Sequence, residues 1–447
     1  MATGISLGAT LALWGTSSYD ISETSVGAAF LLLLIPSLSY AHWKNSRGAS
    51  IVPLFAAVAL MHWVYFGLPL FWGSRRVGLR FLTVVSEESV SAVMLMALLG
   101  VVSFCAGCWL VPVRRSAGPW TDVEITPRAR QYLYTIVIAG TLVNGTGSIS
   151  YSLGEAGRQL ILVFTSTVPS VALVILLREQ MAGRGGRMDR YLIGGALAGR
   201  AVLGIATGWA GSLVFLAMLY MAVFLAERRK LPVPVLLATV SLLLFLQAGK
   251  TDFRVNYWYG GGSGGPVDRI EYWVNASWHH WKRALDEPGA EGILRLQQRA
   301  LMRVSLLEQA ANVLDRTPSL VEFQKGATYS HLAVTFIPRF LWPTKPSVNE
   351  ANHFYQLNYG FSTLRDLDRV SIAVGYLTEG YINFGYPGVA GVMFGVGLLL
   401  GLYERTLLSP RAGILWTALG ISLAHPVDDH RISTGPIFGW AAATTRA

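Results

Sequence analysis

Long apolar blocks separated by polar loops run along most of the chain. The stronger blocks lie at 25–42, 50–72, 90–111, 131–150, 158–177, 191–207, 209–226, 231–249, 384–403 and 413–427, with weaker ones at 3–18 and 434–447. Most approach the ~20 residues that cross a bilayer as a helix. They lack the alternation of apolar and polar residues that is typical of barrel strands. In lipid, the backbone N–H and C=O groups of a segment must find hydrogen-bond partners within the protein, which a helix provides. The pattern therefore predicts an all-α polytopic membrane protein with about 10–12 transmembrane helices.

One long insertion divides this pattern. Residues 250–370 carry no membrane-length apolar block, which predicts transmembrane helices in 1–249, a large loop over 250–370, and further transmembrane helices in 371–447. Inside the loop, apolar residues recur at spacings of three and four from about 291 to 316, which is typical of one helix, and Pro318 limits its far end.

Three arginines follow one side of that predicted helix. Arg295, Arg299 and Arg303 lie four residues apart, so they would form a stripe beside the apolar face. A solvated basic edge is one interpretation. The other is a binding site for an anionic diphosphate, because one guanidinium group can bind two phosphate oxygens at once.

Composition and charge agree with the membrane class and set an orientation. Hydrophobic residues make up 52% of the chain and charged residues 14%. Most basic loops fall at every second gap, as cytoplasmic loops do, although Arg75, Arg76 and Arg80 fall on the other side. This alternation predicts a multi-pass protein of the plasma membrane with its large loop outside the cytoplasm. The net charge of +10 then reflects topology, and no nucleic-acid partner is expected.

A carboxylate and an amide stand at the mouth of the apolar segment that follows the loop. A charge within a membrane segment costs about 2.5–3.5 kcal/mol even on lenient scales, so Glu379 is a functional candidate. If this segment is helical, Tyr376, Glu379 and Asn383 share a face. Glu379 would serve as a general base, and Asn383 would orient the carboxylate or the substrate. The alternative is a structural pair between Glu379 and a buried arginine such as Arg200.

A proline-rich stretch displays two cations near the end of the loop. Pro338, Pro343 and Pro346 prevent regular structure, so Arg339 and Lys345 would extend from a stiff arm with Trp342 between them. A contact with lipid headgroups is the simpler interpretation of this arm. His331, just before it, is an alternative general base because histidine titrates near neutral pH.

Other motifs favour simpler interpretations. Cys105 and Cys108 lie within an apolar block and suit helix packing better than redox chemistry. Asp366 and Asp368 resemble a metal-binding pair, but a solvated loop is preferred. The group His425, Asp428, Asp429 and His430 is interpreted as the end of a transmembrane segment. No metal and no cofactor are expected.

Several motifs resemble those of the oligosaccharide repeat-unit polymerases, the Wzy-type polymerases of O-antigen and exopolysaccharide. The matching stretches are 303–308, 326–329, 338–346 and 378–385, and Gly199-Arg200 with 207–212 is similar to the family's Thr-Gly-Ser-Arg region, with the arginine displaced. The resemblance is tightest over about 299–403. It implies a C-type membrane glycosyltransferase architecture, a large extracytoplasmic loop, and polyprenyl-diphosphate-linked glycans as substrates.

This resemblance implies an enzyme that joins lipid-linked repeat units without a metal. Glu379, or His331, would accept the proton of the attacking hydroxyl, and Arg339, Lys345 and Arg303 would stabilise the departing diphosphate. The other substrate-binding candidates are Arg299, Asn383, Tyr329, Trp342 and Arg200. Chain-length regulators and flippases are the expected protein partners, beside the lipid bilayer. A lipid-linked glycan ligase and a polysaccharide transporter remain alternatives.

Overall fold

The structure is a computed structural model. It describes residues 2–17, 21–46, 50–72, 76–77, 83–111, 125–146, 154–289, 291–330, 342, 350–364, 367, 372, 374–409 and 412–423. In chain order, the helices are α1 (Ala2–Gly15), α2 (Glu23–Asn45), α3 (Leu54–His62), π1 (Trp63–Gly67), α4 (Leu68–Trp72), α5 (Glu87–Trp109), α6 (Pro127–Thr146), α7 (Gly154–Met181), α8 (Arg187–Ala206), α9 (Gly211–Arg228), α10 (Val233–Ala248), α11 (Lys250–Phe253), π2 (Arg254–Tyr259), α12 (Pro266–Asp286), α13 (Glu291–Met302), α14 (Leu307–Arg316), α15 (Glu350–Asn358), α16 (Tyr376–Thr406) and α17 (Ile414–Leu423). Two short strands, β1 (Arg76–Val77) and β2 (Thr83–Val84), pair antiparallel.

The chain folds into two compact units. Unit 1 comprises Met1–Arg115 and Leu301–Thr406, and unit 2 comprises Ser116–Ala300 and Leu407–Ala447. The predicted division at 249 and 370 concerns membrane topology, and it stays a prediction.

Five of the predicted transmembrane segments are helices of sufficient length and apolarity. They are α2, Leu54–Phe71, α5, α9 and α16. A sixth would be α10 together with Lys250–Tyr259, which are bent by 59° at Gly249. The protein is therefore α-helical, with several helices that can cross a membrane. The higher count of 10–12 transmembrane helices remains a prediction. The other described helices in the predicted segments are not both long enough and apolar enough to cross a membrane.

Helices α5 and α16 of unit 1 pack with their backbones in close contact. A Cβ added at Gly107 would lie 2.1 Å from the carbonyl oxygen of Phe394, and one added at Gly397 would lie 2.2 Å from that of Phe104. Small residues are needed at such contacts between membrane helices. Cys108 belongs to the same contact, because its Sγ donates a hydrogen bond to the Gly397 carbonyl at 3.1 Å. The packing role predicted for this cysteine is confirmed.

Replacing Cys105 and Cys108 together by alanine should lower the free energy of unfolding by no more than about 2 kcal/mol per site, because only a small side chain is lost from each. Thermal unfolding in detergent, with and without reductant, would measure this. If the cysteines had a redox role, the midpoint temperature of unfolding would depend on reductant in the wild type. It would not depend on reductant in the double variant.

The predicted single helix at about 291–316 is two helices. α13 ends at Met302 and α14 begins at Leu307. Ser305 lies in the break, and its hydroxyl accepts a hydrogen bond from Leu307 N and donates one to the Glu308 carboxylate. Leu306 N also donates to the Tyr65 carbonyl in π1 at 3.0 Å. Arg303 therefore does not continue the helical stripe of Arg295 and Arg299.

A buried polar contact joins α14 to α15 in unit 1. Asn312 Nδ2 donates to the Tyr359 carbonyl at 2.8 Å, and the hydroxyls of Thr317 and Tyr359 lie 2.7 Å apart. Tyr381, from α16, donates to the Thr317 carbonyl at 3.4 Å. These bonds fix the three helices around the start of α16, where the predicted base lies.

Unit 2 contains a buried ion pair. Asp189 at the start of α8 is fully buried and accepts hydrogen bonds from Arg130 Nη1 at 3.0 Å and from the Tyr134 hydroxyl at 2.5 Å, both on α6. It also accepts one from Gly186 N at 2.7 Å. A buried carboxylate with this many donors is well compensated, so these bonds hold the ends of α6 and α8 together.

Candidate functional site

Glu379 lies on a short half-helix at the start of α16. It occupies the first turn, where a carboxylate interacts favourably with the helix dipole. The helix is interrupted at Phe384 (φ −141°, ψ 15°) and Gly385 (φ 65°, ψ −152°), a conformation that needs glycine. Residues 376–383 therefore form a half-helix that is separate from the long apolar part of α16.

The interruption exposes backbone carbonyls that a neighbouring turn satisfies. Gln324 N donates to the Ile382 carbonyl and Lys325 N to the Asn383 carbonyl, each at 3.0 Å. The last carbonyls of any helix lack partners within it, so this turn ends the half-helix in the way a cap does. Lys325 (φ 49°) and Gly326 (φ 94°) are both left-handed, which lets the chain turn tightly over the helix end.

A chain of hydrogen bonds leads from this turn to the carboxylate. Asn383 Oδ1 accepts from Gly326 N at 2.9 Å, and its Nδ2 donates to Thr328 Oγ1 at 2.7 Å and to the Glu379 carbonyl at 2.9 Å. Thr328 Oγ1 in turn donates to Glu379 Oε1 at 2.9 Å. Thr328 and Asn383 are buried. One carboxylate oxygen is thus held in place, and among the described residues the other has no hydrogen-bond partner.

Two phenols with buried hydroxyls lie beside the same carboxylate. Burial, and to a smaller extent the negative charge of Glu379, raises the pKa of Tyr329 to about 12. The same two causes raise the pKa of Tyr355, so both phenols stay protonated at physiological pH. The Tyr355 hydroxyl is near Thr328 and Glu379, and the Tyr329 hydroxyl is near Asn383, yet neither has the geometry of a hydrogen bond with any described residue. Two buried donors without partners beside a carboxylate are typical of a site that binds a polar ligand.

Replacing Tyr355 by phenylalanine should leave the folded protein as stable as the wild type, or raise its stability by up to about 1–3 kcal/mol, because a buried hydroxyl without a partner costs free energy. Thermal unfolding in detergent would measure this. The matched change is Tyr359→Phe, which removes a hydroxyl that is bonded to Thr317 and should be destabilising. A large loss of stability in Tyr355→Phe would mean that its hydroxyl bonds within the protein.

The structure brings three of the candidate residues together, namely Glu379, Asn383 and Tyr329. The helical geometry predicted for Glu379 and Asn383 is confirmed by the bond between Asn383 Nδ2 and the Glu379 carbonyl. Asn383 also donates to Thr328, which donates to the Glu379 carboxylate, and its role in orienting that carboxylate stays a prediction.

Of the basic candidates, the structure describes Arg303, Arg299 and Arg200. Arg303 is exposed in the turn before α14 of unit 1. Two other arginines belong to unit 2, namely Arg299, which is exposed on α13, and Arg200 on α8. Arg200 Nη1 donates to Ser170 Oγ at 3.1 Å. Trp342 is partly exposed. His331, Arg339 and Lys345 lie outside the described residues.

Sequence reasoning missed Thr328 and Tyr355 as members of the site. Thr328 precedes Glu379 by 51 positions, and no local pattern links the two. Tyr355 lies on α15, a helix that the sequence analysis did not predict. The break in α16 had a signal, because Gly385 and Pro387 fall two positions apart inside an apolar segment.

The chemistry available to this cluster is acid–base chemistry and hydroxyl recognition. The carboxylate has one oriented oxygen and one available oxygen, and the phenols are neutral donors within the same cluster. Among the described residues, no group of three histidine, cysteine or acidic side chains is placed to hold a metal ion. Asp366, Asp368 and residues 425–430 lie outside the described residues.

Comparison with known proteins gave one match. A family model described as a domain of unknown function, DUF8712, matches residues 86–406, which is more than two thirds of the chain. No curated protein and no solved structure matches. The matched region includes the half-helix, the turn that caps it, and both buried phenols.

Proposed function

Because this chain belongs to the DUF8712 family, and the family's matched region contains the whole Glu379 cluster, we propose that the cluster is the catalytic centre of a membrane glycosyltransferase. The enzyme polymerises polyprenyl-diphosphate-linked oligosaccharide repeat units into O-antigen or exopolysaccharide at the extracytoplasmic face of the plasma membrane. The large loop over 250–370 lies on that face, and the architecture is of the C-type glycosyltransferase kind.

The reaction transfers a glycan from one lipid carrier to another. A hydroxyl of the incoming lipid-linked unit attacks the anomeric carbon of the growing glycan, and a new glycosidic C–O bond forms. The bond between that carbon and the diphosphate breaks, and polyprenyl diphosphate leaves with the electron pair. Glu379 accepts the proton of the attacking hydroxyl through its available oxygen, while Thr328 and Asn383 hold the other oxygen and the helix end in place.

The single observation that carries this proposal is the pairing of an oriented carboxylate with unsatisfied buried phenols. A structural carboxylate would be paired with a cation or fully hydrogen-bonded. Glu379 instead has one fixed oxygen, and the Tyr329 and Tyr355 hydroxyls beside it lack partners among the described residues. Sugar hydroxyls both donate and accept hydrogen bonds, so a glycan acceptor can satisfy the carboxylate and the phenols together.

The leaving diphosphate requires positive charge, which the Glu379 cluster does not supply. Arg339, Lys345 and Arg303 fill this role in the proposal, since guanidinium and ammonium groups stabilise charge that develops on phosphate oxygens. Arg303 is exposed and belongs to the same unit as Glu379. A flippase that delivers repeat units and a regulator of chain length are the expected partners.

A transporter is the second candidate, and one observation favours it. Transporters bind their substrates at interrupted membrane helices. Within the described residues, each unit contains such an interruption, at Phe384–Gly385 in α16 and at Gly249 after α10. A ligase that moves the finished glycan to another acceptor would use the Glu379 cluster in the same way as the polymerase.

The size distribution of polyprenyl-linked glycans tests all three functions. Membranes from cells lacking this chain would be compared on a gel with membranes from the complemented strain. Loss of the glycan ladder with accumulation of single repeat units supports the polymerase. A lipid-linked polymer that never reaches its final acceptor means a ligase, and repeat units retained on the cytoplasmic leaflet mean a transporter.

A further inference from the structure

Helix α12 of unit 2 buries only part of its apolar surface. Trp273, Ser277 and Ala284 face inward, and the helix packs on α10. Trp273 Nε1 donates to the Leu246 carbonyl at 2.7 Å, and Trp281 Nε1 donates to the Phe245 carbonyl at 3.3 Å. The middle of α12 is therefore fixed to the last turn of α10.

A second row of apolar side chains on α12 remains exposed. Val267, Val274, Trp278 and Leu285 are exposed by 73, 38, 59 and 59%. Their spacings of seven, four and seven residues place them along one side of the helix, and this row is called the apolar stripe below. An exposed row of this size on a soluble protein would mark an interaction surface.

The side of α12 next to the apolar stripe is strongly polar, which excludes a transmembrane position. It carries Asp268, Glu271, Lys282, Arg283 and Asp286, together with His279. The helix is 21 residues long, yet it fails the requirement for apolarity that the membrane-spanning helices meet. A helix with an apolar row on one side and charges on the other is suited to lie in the plane of a membrane surface.

The attachment to α10 places α12 at the depth that such a helix needs. α10 is apolar along its length and exposes Leu237, Val240 and Leu244, as a helix that contacts lipid does. It ends at Ala248, where the chain bends by 59° at Gly249. We infer that α10 leaves the hydrocarbon at this bend, so that α12, which is bonded to α10 at Phe245 and Leu246, lies at that boundary. Tryptophan is enriched at that boundary, and Trp278 is at the centre of the apolar stripe.

We propose that α12 is an interfacial helix whose apolar stripe inserts into the lipid surface at the end of α10. The partner of this surface is the bilayer itself, with Trp278 at the level of the headgroups and with Lys282 and Arg283 on the side facing water. This inference rests on the membrane character of α10 and is independent of any catalytic role of Glu379.

Spin labelling of the full-length protein in lipid nanodiscs tests the proposal. Nitroxides would be attached singly to Val267→Cys, Val274→Cys, Trp278→Cys and Leu285→Cys, in a background in which Cys105 and Cys108 are alanine. Matched labels at Asn275→Cys, His279→Cys and Arg283→Cys report on the polar side. Collision rates would be measured with oxygen, which concentrates in lipid, and with a water-soluble nickel chelate.

The ratio of oxygen to nickel collisions should be several-fold higher along the apolar stripe than on the polar side. High nickel collision at the apolar stripe would place it in water and overturn the proposal. Low collision rates with both reagents, together with magnetic broadening between labels, would mean that a second copy of the chain covers the apolar stripe. That result would also overturn the proposal. As a check without cysteine substitution, brominated lipids should quench tryptophan fluorescence less in Trp278→Phe than in the wild type, and equal quenching would contradict the proposal.

Discussion

Replacing Glu379 by glutamine is expected to lower the rate of glycan polymerisation by on the order of 10²–10⁴-fold, the usual contribution of a general base. Glutamine has nearly the same shape and can still accept the hydrogen bond from Thr328 Oγ1, which measures 2.9 Å in the wild type. The fold should therefore be retained while the proton acceptor is lost. The measurement is the length of lipid-linked glycans in complemented cells, with protein level and membrane insertion monitored in parallel.

The matched control for this change is Glu322→Gln. Glu322 is exposed and lies just before the turn that caps the half-helix, so its replacement changes the same charge near the site without touching the hydrogen-bond chain. It should support a normal glycan ladder. A normal ladder in well-inserted Glu379→Gln would remove Glu379 as the base and leave His331 as the candidate. If Arg339→Ala also left the ladder unchanged, the polymerase proposal would be abandoned.

The sequence predicted several of the helices and singled out Glu379, but it did not predict how the segments around Glu379 are arranged. Apolar blocks of membrane length are a local signal, and five of them are helices that can cross a membrane. Glu379 was identified because its charge is costly beside apolar residues, which is also a property of the local sequence. Asn383 followed from helical spacing alone, and its bond to the Glu379 carbonyl confirms that spacing.

The rest of the site depends on contacts between distant segments. Thr328 and Tyr355 reach Glu379 from a turn and from α15, and neither segment has a hydrophobic period that would place it there. The predicted stripe of Arg295, Arg299 and Arg303 was wrong because the first helix ends at Met302 and the next begins at Leu307. The apolar period continues across residues 303–306, and no glycine or proline marks the break, so the period alone favoured one long helix.

Replacing Gly388 by alanine is expected to destabilise the protein by about 1–3 kcal/mol or more, the cost of adding a methyl group to a fully packed contact. A Cβ at this position would lie 2.2 Å from the Gly380 carbonyl oxygen and 2.8 Å from Cβ of Phe384. In a straight helix, residues eight positions apart are separated by about 12 Å. The contact between Gly380 and Gly388 therefore exists only because α16 is sharply bent between them.

The backbone cannot move away from this methyl group without opening the bend. Gly385 holds the left-handed conformation on one side, and the bonds from Gln324 and Lys325 to the end of the half-helix fix the other side. Relief of the clash would shift residues 376–383 and with them the Glu379 carboxylate. Gly388→Ala should therefore shorten the glycan ladder as well as lower the thermal midpoint, whereas Glu379→Gln should shorten the ladder only.

Gly391 provides the matched control on the same helix. A Cβ added there meets nothing within 4 Å, so Gly391→Ala should be neutral or stabilising by up to about 1 kcal/mol, since alanine favours helix more than glycine does. Thermal unfolding of both variants in the same detergent measures the difference. Equal midpoints for the two variants would mean that the bend in α16 opens easily, and the carboxylate would then lack the fixed position that a general base requires.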